Sequence, residues 1–145
     1  AGLDLMAEFD REVFRLIPLL YDNLRRLGHT DALTGRLKGT YRLAWAKHHR
    51  LAGQTRPILD GLLGAGIPVM ALKGAPLGLL YYGNPALRPM SDVDLVVPAA
   101  HVDAAAAILG DLGYKPWRTL DAEARRFRHA MGFFAPGPKE FDLHW

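Results

Sequence analysis

The chain has 145 residues, half of them hydrophobic, and a formal charge of +3 at neutral pH. This length and composition exclude a disordered chain and allow either one core or a helical region packed on a small α/β domain. The absence of cysteine excludes disulfides, thiolate metal sites and a cysteine nucleophile.

The first predicted element is an amphipathic helix that ends near Gly28. Its apolar residues recur at the alternating short intervals that mark one face of a helix. They are Met6, Phe9, Val13, Ile17, Leu20, Leu24 and Leu27.

A second helix is predicted to begin after Thr30 or Asp31, either of which can cap it. Glycine weakens a helix by about 1 kcal/mol relative to alanine, so we expect Gly35, Gly39 and Gly53 to interrupt this one. The apolar face consists of Leu37, Tyr41, Ala44, His48, Leu51, Ile58 and Leu62.

From Gly64 onwards the pattern changes to short alternating segments, which predict strands and helices in turn. The segments are VMAL, APLGLLYYG, DVDLVVP, AHVDAAAAILGDLGY, KPWRT, DAEARRFRHA, MGFFAP and EFDLHW, in the order β-α-β-α-β-α-β-β. A short GPK turn makes the last two strands a hairpin, so the sheet is expected to be mixed. We therefore predict an N-terminal helical region over residues 1–63 and an α+β or α/β core with a small mixed sheet over residues 64–145.

Two aspartates in the segment RPMSDVDLVV predict a metal site. In an extended strand Asp92 and Asp94 point to the same face, with α-carbons roughly 6.5 to 7 Å apart, while the apolar residues point to the other. A divalent cation stabilises two such carboxylates in their charged form, and oxygen ligands favour magnesium or manganese. The alternative is a purely structural role, with Asp92 in a turn and Asp94 paired to Arg88.

The last strand offers a third carboxylate. In KEFDLHW the residues Phe141, Leu143 and Trp145 share one face, and Glu140, Asp142 and His144 share the other. If this strand lies beside the first, Asp142 completes a cluster that holds two metal ions about 3.5 to 4 Å apart. Otherwise Asp142 is a surface acid next to a surface histidine.

The segment ALKGAPLGLLYYG predicts a phosphate site. A strand that runs through Lys73, Gly74 and Ala75 into a helix leaves backbone N–H groups unpaired, and Gly74 has no side chain to block a phosphate. Arg88 either contacts phosphate or anchors an acid. The alternative for Lys73 is simple solvation.

The remaining candidates are assigned structural roles. His48 and His49 are interpreted as part of an exposed helix surface, and His129 and His144 as structural rather than metal-binding. The three tryptophans, Trp45, Trp117 and Trp145, are predicted to lie in the core or at an interface, because no aromatic stripe alternates with basic residues.

These motifs together resemble the uncharacterised nucleotidyltransferase family of the polymerase-β-like superfamily. The resemblance covers residues 64–145, and the helices before it carry none of it. It rests on K-G-x-x-L at Lys73–Leu77, Tyr81 and Tyr82, LRPMSDVDLVV at 87–97, LGY at 112–114 and FDLHW at 141–145.

The resemblance implies binding of a nucleoside triphosphate with two Mg²⁺ (or Mn²⁺) ions and transfer of a nucleoside monophosphate to an acceptor, with release of pyrophosphate. Asp92, Asp94 and Asp142 are then the metal ligands and catalytic residues. Lys73, Gly74, Ala75 and Arg88 are expected to bind the triphosphate. Two departures concern this phosphate site: Ala75 stands where the superfamily usually has Gly or Ser, and the interval from Gly74 to Asp92 is long.

Two other functions fit parts of the pattern. One is a catalytically inactive module of the same fold that binds nucleotide, RNA or a partner protein. The other is a haloacid-dehalogenase-like phosphatase, whose D-x-D-x-V motif DVDLV matches, although there the apolar strand precedes the aspartates. The acceptor of a transferase is left open among protein, RNA, an antibiotic and a small metabolite.

The location of the protein is predicted from what the sequence lacks. It has no leader and no apolar run of the roughly 18 residues that cross a bilayer, so we expect a cytoplasmic protein without a membrane partner. Its basic excess permits polyanionic partners such as nucleotides or RNA. Because Ala1 is not a natural start and Trp145 falls within a predicted strand, we expect a fragment of a longer protein, truncated at the C-terminus.

Overall fold

The structure of the protein is a computed structural model that describes residues 11–136 and 139–145. These residues form two compact units. The first comprises the chain up to His48 together with Leu77–Met90, and the second comprises His49–Pro76 and Ser91–Trp145. These units differ from the predicted division into a helical region and a core. The predicted boundary between residues 63 and 64 stays a prediction.

The N-terminal region forms two short helices where one was predicted. α1 spans Arg11–Phe14 and α2 spans Ile17–Arg26. The break follows from Pro18, which has no N–H to donate to the Phe14 carbonyl and whose ring crowds that carbonyl. Gly28 adopts a left-handed φ of +78°, which confirms the predicted helix end. Met6 and Phe9 of the predicted helix lie outside the described residues.

α3 spans Ala32–Gly64 as one helix of 33 residues, so the predicted interruption by glycines is wrong. Burial along one face outweighs the low helix propensity of these glycines. The buried positions are Leu37, Ala44, Leu51, Ile58 and Leu62. Even Pro57 is tolerated, since both it and Gly53, whose carbonyl loses a partner, are exposed to solvent. Among the described residues no helix, α3 included, combines the length and the apolar character needed to cross a bilayer.

Of the two residues predicted to cap α3, Thr30 and Asp31, it is Asp31 that caps the helix. Its Oδ1 accepts hydrogen bonds from the backbone N–H of Thr34 at 2.8 Å and from the Thr34 hydroxyl at 2.7 Å. The hydrogen bond from the Thr34 hydroxyl, followed by that from its backbone N–H, lowers the pKa of the Asp31 carboxyl below its ordinary value of 3.8. The charged form is therefore favoured in the folded chain.

Asp31→Asn is expected to make the melting temperature less sensitive to acid. A carboxyl whose pKa is lowered by folding stabilises the fold above its ordinary pKa of 3.8, and this contribution is lost as the pH falls through the lowered folded value. Asparagine keeps the capping oxygen but does not titrate. Thermal unfolding between neutral and strongly acidic pH measures the difference. Equal loss of stability in both proteins would contradict this role of Asp31.

The first unit has its own small core. Ile17, Tyr21 and Leu37 are buried together, and the rings of Tyr21 and Tyr41 lie 5.1 Å apart. A short 3₁₀ helix, Pro85–Leu87, is capped by Asn84, whose Oδ1 accepts from the Ala86 N–H. The Asn84 side chain also donates to the Tyr41 hydroxyl at 2.9 Å, which ties this loop to α3.

The second unit is built on a five-stranded mixed sheet in the order β1-β2-β5-β4-β3. The strands are β1 Met70–Leu72, β2 Asp94–Val96, β3 Lys115–Pro116, β4 Ala130–Ala135 and β5 Lys139–His144. β2 and β5 are parallel, and the other neighbouring pairs are antiparallel. The helices between the strands are α4 Gly74–Leu80, α5 Val102–Asp111 and α6 Ala122–Phe127. The predicted order of elements, the terminal hairpin and the mixed sheet are confirmed.

One face of this sheet carries the core. A β-carbon on Gly61 of α3 would lie 2.9 Å from Ile108 Cγ2 of α5, so these two helices pack closely in the second unit. The alternation of side chains along each strand sends the apolar residues to the core and leaves the polar residues on the opposite face. The buried apolar residues of the strands and of the positions flanking β2 are Val93, Leu95, Val97, Met131, Phe133, Ala135, Phe141 and Leu143.

Candidate functional site

Two carboxylates lie side by side on the polar face of the sheet. β2 and β5 run parallel in a register that pairs Asp94 with Asp142 and Val96 with His144. Ligand atoms of Asp94, Asp142 and His144 all lie within 4.8 Å of one another. The prediction that the last strand lies beside the strand of Asp94 thus agrees with the fold, and Asp142 and the neighbouring His144 are both partly buried.

Asp94 is the buried centre of this group, with only 5% of its surface exposed. Its Oδ1 accepts from the Lys73 ammonium at 2.5 Å and lies 2.9 Å from Nε2 of His144. A buried carboxylate needs such partners, because removing an unpaired charge from water is costly. Lys73 and His144 are the polar partners that the buried carboxylate of Asp94 contacts.

Lys73 reaches Asp94 from the end of β1. The antiparallel ladder pairs Leu72 with Asp94, and the next residue, Lys73, turns the chain into α4 with a left-handed φ of 54°. This conformation is unfavourable for a residue with a β-carbon and is characteristic of functional sites. The hydrogen bond to Asp94 raises the pKa of the Lys73 ammonium, and the charges of the three aspartates add to this. Lys73 thus keeps its positive charge at the site.

The carboxyl of Asp142 has a pKa above its ordinary value of 3.8. Burial raises its pKa, and the negative charges of Asp94 and Asp92 raise it further, while His144 and Lys73 act in the opposite direction. Its backbone N–H donates to the Val93 carbonyl at 3.1 Å, which extends the pairing of β5 with the chain in front of β2. A bound cation would relieve the repulsion that Asp142 experiences.

Asp92 lies apart from this close group. β2 begins at Asp94, so Asp92 is in the segment that precedes the strand, exposed, with its Oδ1 accepting from the Ser91 hydroxyl at 3.0 Å. Its charge still acts on Lys73 and Asp142. The role of Asp92 as a metal ligand stays a prediction.

The predicted phosphate-binding residues are found in both units. Gly74 and Ala75 are partly buried and form the first turn of α4, directly after Lys73. Arg88 belongs to the first unit, where its guanidinium donates to the Pro89 carbonyl at 3.2 Å. An ion pair with Arg88 is not needed to neutralise Asp94, since Lys73 and His144 already contact it. Triphosphate binding by these residues stays a prediction.

His144 is a member of the site for which the sequence predicts only a structural role. Its imidazole contacts the buried carboxylate of Asp94. The available signal was its position two residues after Asp142, which puts both side chains on one face of the strand. The other histidine considered, His129, is not part of this close group. Its backbone carbonyl accepts a hydrogen bond from the Trp145 N–H at 3.0 Å.

Comparison with known proteins gives one family and one fold. The profile of the uncharacterised nucleotidyltransferases matches residues 12–145. No curated protein matches the chain at a significant level. Among solved structures, the chain is similar to the solution structure of the antibiotic-resistance factor ANT(2'')-Ia, with 19% identity and a TM-score of 0.51. The similarity covers 68% of this chain and 47% of that one, so this chain spans about half the length of its structural neighbour.

The two comparisons carry different weight. At this identity the structural likeness shows that the two proteins share a fold. The family match begins at residue 12, so it takes in the N-terminal helices as well as the sheet and the acidic site, beyond the part of the sequence that carried the motifs. The chain belongs to the uncharacterised nucleotidyltransferase family.

Proposed function

We propose that the chain is the catalytic part of a nucleotidyltransferase, which transfers a nucleoside monophosphate from a nucleoside triphosphate to a hydroxyl of an acceptor and releases pyrophosphate. The main support is the pairing of Asp94 with Asp142 on parallel strands, with His144 within reach of both. Two carboxylates held together where they are partly buried favour a divalent cation between them. Membership of the family supplies the class of reaction.

The donor atoms of the site fit Mg²⁺ or Mn²⁺, in the arrangement of two ions that the sequence predicts. Asp94 and Asp142, joined by Asp92 as the predicted third carboxylate, offer the oxygen ligands that these ions prefer. A nitrogen ligand from His144 favours a transition-metal ion such as Mn²⁺ over Mg²⁺. When bound, the ions lower the pKa of the acceptor hydroxyl and neutralise the triphosphate and the leaving pyrophosphate.

The protein contributes positioning and proton transfer. Lys73 supplies a positive charge for the terminal phosphates, and Gly74 and Ala75 complete the triphosphate site. The acceptor oxygen forms a bond to the α-phosphorus as the bond from that phosphorus to the bridging oxygen breaks, and pyrophosphate leaves with this oxygen. Asp142 takes the proton of the acceptor hydroxyl as a general base.

The phosphatase alternative has less support. In a haloacid-dehalogenase-like enzyme the nucleophilic aspartate follows its strand, whereas Asp92 and Asp94 stand before and at the start of β2. The inactive module keeps the same fold and the same binding residues. Pyrophosphate release separates it from an active transferase.

The proposal is tested by incubating the full-length protein with each α-labelled nucleoside triphosphate, MgCl₂ or MnCl₂, and cell extract. We expect label to move from one triphosphate to a component of the extract, with one pyrophosphate released per label transferred. Asp142→Asn serves as the inactive control, since it keeps the size of the side chain and removes its charge. Binding of triphosphate and metal without pyrophosphate release would instead identify an inactive binding module.

A further inference from the structure

An exposed aromatic pair lies on the polar face of the sheet, next to the carboxylates. Trp117 follows β3, and its backbone N–H donates to the Gly132 carbonyl of β4 at 2.9 Å. The rings of Trp117 and Phe134 lie 5.1 Å apart at an angle of 49°. Trp117 is 60% exposed and Phe134 38% exposed, so Trp117 does not lie in the core, and its predicted place at an interface stays a prediction.

Gly132 brings the indole of Trp117 close to Asp142. Gly132 is the register partner of Asp142 in the hairpin of β4 and β5. A β-carbon on Gly132 would lie 2.5 Å from Cδ1 of Trp117 and 3.2 Å from Oδ1 of Asp142. The space that a side chain would fill is thus shared by the indole edge and the carboxylate. An aromatic ring that covers a glycine in a strand also stabilises the sheet, and this explains why the Trp117 indole lies against Gly132. It does not explain why so much of the indole is exposed.

The order of the strands places this aromatic pair opposite Lys73. Lys73 follows β1, the carboxylates lie on β2 and β5, and Trp117 and Phe134 come from β3 and β4. In phosphoryl transfer the attacking and the leaving oxygens lie roughly in line through the phosphorus. If Lys73 receives the leaving pyrophosphate, the attacking hydroxyl enters from the side of β4 and β3. The exposed rings of Trp117 and Phe134 lie on that side of Asp142.

We propose that Trp117 and Phe134 stack against a ring of the acceptor and thereby hold its hydroxyl at Asp142. This inference rests on the proposed function and narrows the acceptor to a hydroxyl compound with a ring, such as a pyranose or an aryl group, whose face is apolar enough to stack.

The test measures binding of ring and open-chain probes to the full-length protein by tryptophan fluorescence and by saturation-transfer NMR. The probes are phenyl β-D-glucopyranoside and, as the matched open-chain polyol, sorbitol. We expect the ring probe to bind and sorbitol not to bind, with the affinity for the ring probe about tenfold or more lower in Trp117→Ala. Trp117→Phe keeps an aromatic face and is expected to retain most of the affinity for the ring probe. Trp45→Phe, at a 50% exposed tryptophan of the first unit, is the control and should bind as the wild type does.

Three results would overturn this inference. The first is equal binding of sorbitol and the ring probe, and the second is unchanged binding of the ring probe to Trp117→Ala. The third is displacement of the ring probe by the nucleosides adenosine and uridine, which would show that the aromatic pair binds the nucleobase of the triphosphate. Circular dichroism shows whether Trp117→Ala is folded. If it is not, Trp117→Leu, which keeps an apolar side chain of larger size without an aromatic face, is used in its place. The proposed function has a separate readout in pyrophosphate release, so loss of transfer with intact ring binding counts against the transferase and not against the aromatic site.

Discussion

Asp94→Asn is expected to reduce nucleotidyl transfer by about a thousandfold while the fold is retained. Asparagine has the shape of aspartate and keeps an oxygen that accepts from the Lys73 ammonium. What it loses is the negative charge at the centre of the site, within 4.8 Å of the ligand atoms of Asp142 and His144. Label transfer and thermal unfolding, each with and without MgCl₂ or MnCl₂, measure the two effects.

The metal dependence of unfolding distinguishes a loss of ligand from a loss of structure. A cation that binds only the folded chain raises the melting temperature with increasing concentration, so wild type should respond and Asp94→Asn should not. Asp60→Asn removes the same charge from an exposed position of α3 in the second unit and is the matched control. An Asp94→Asn protein that transfers label at the wild-type rate would rule out the proposed metal centre.

The same measurements on Asp92 and His144 determine the ligand set. The predicted set is Asp92, Asp94 and Asp142, whereas the close group in the fold consists of Asp94, Asp142 and His144. Asp92 is exposed in the segment before β2, two positions along the chain from Asp94. We expect Asp92→Asn to abolish transfer as Asp94→Asn does, and His144→Gln to weaken the response to Mn²⁺ more than the response to Mg²⁺.

The order of elements and the face of each side chain could be predicted from the sequence because both depend on local periodicity. Alternation along the last strand separated Phe141 and Leu143 from Asp142, and the structure buries the first two and leaves the third on the polar face. The GPK turn between two apolar runs was enough to predict the hairpin. Local signals of this kind require no knowledge of which strands become neighbours.

Strand neighbours and their register could not be predicted, and the finer geometry of the site depends on them. The parallel pairing of β2 with β5 joins positions Asp94 and Asp142, which are far apart in the sequence, and it also brings His144 to Asp94. The ion pair of Lys73 depends on a third strand, β1, and on a left-handed backbone at this residue. For the same reason α3 was wrongly expected to be interrupted: burial by distant residues, which the local sequence does not show, outweighs its glycines.

Lys73→Met is expected to increase the affinity for the divalent cation and to decrease nucleotidyl transfer. In the fold the Lys73 ammonium lies 2.5 Å from Oδ1 of Asp94, a carboxylate oxygen that a cation would use. Lysine and cation therefore compete for Asp94, and methionine, of similar length but without charge, removes the competitor. Because the Lys73 side chain is 63% exposed, solvent screens this ion pair, and the gain in affinity should be about fivefold.

The opposite signs of these two effects make Lys73→Met informative. If Lys73 serves only as a counter-ion of Asp94, Lys73→Met should transfer label normally at saturating cation. If Lys73 moves from Asp94 to the terminal phosphates once metal and triphosphate are bound, its charge is needed there as well. We therefore expect the Michaelis constant for the triphosphate to rise in Lys73→Met even at saturating Mg²⁺. Lys115→Met, which removes one charge from β3 at the other edge of the sheet, should change neither quantity. A lower cation affinity in Lys73→Met would show that Lys73 organises Asp94 for the metal and does not compete with it.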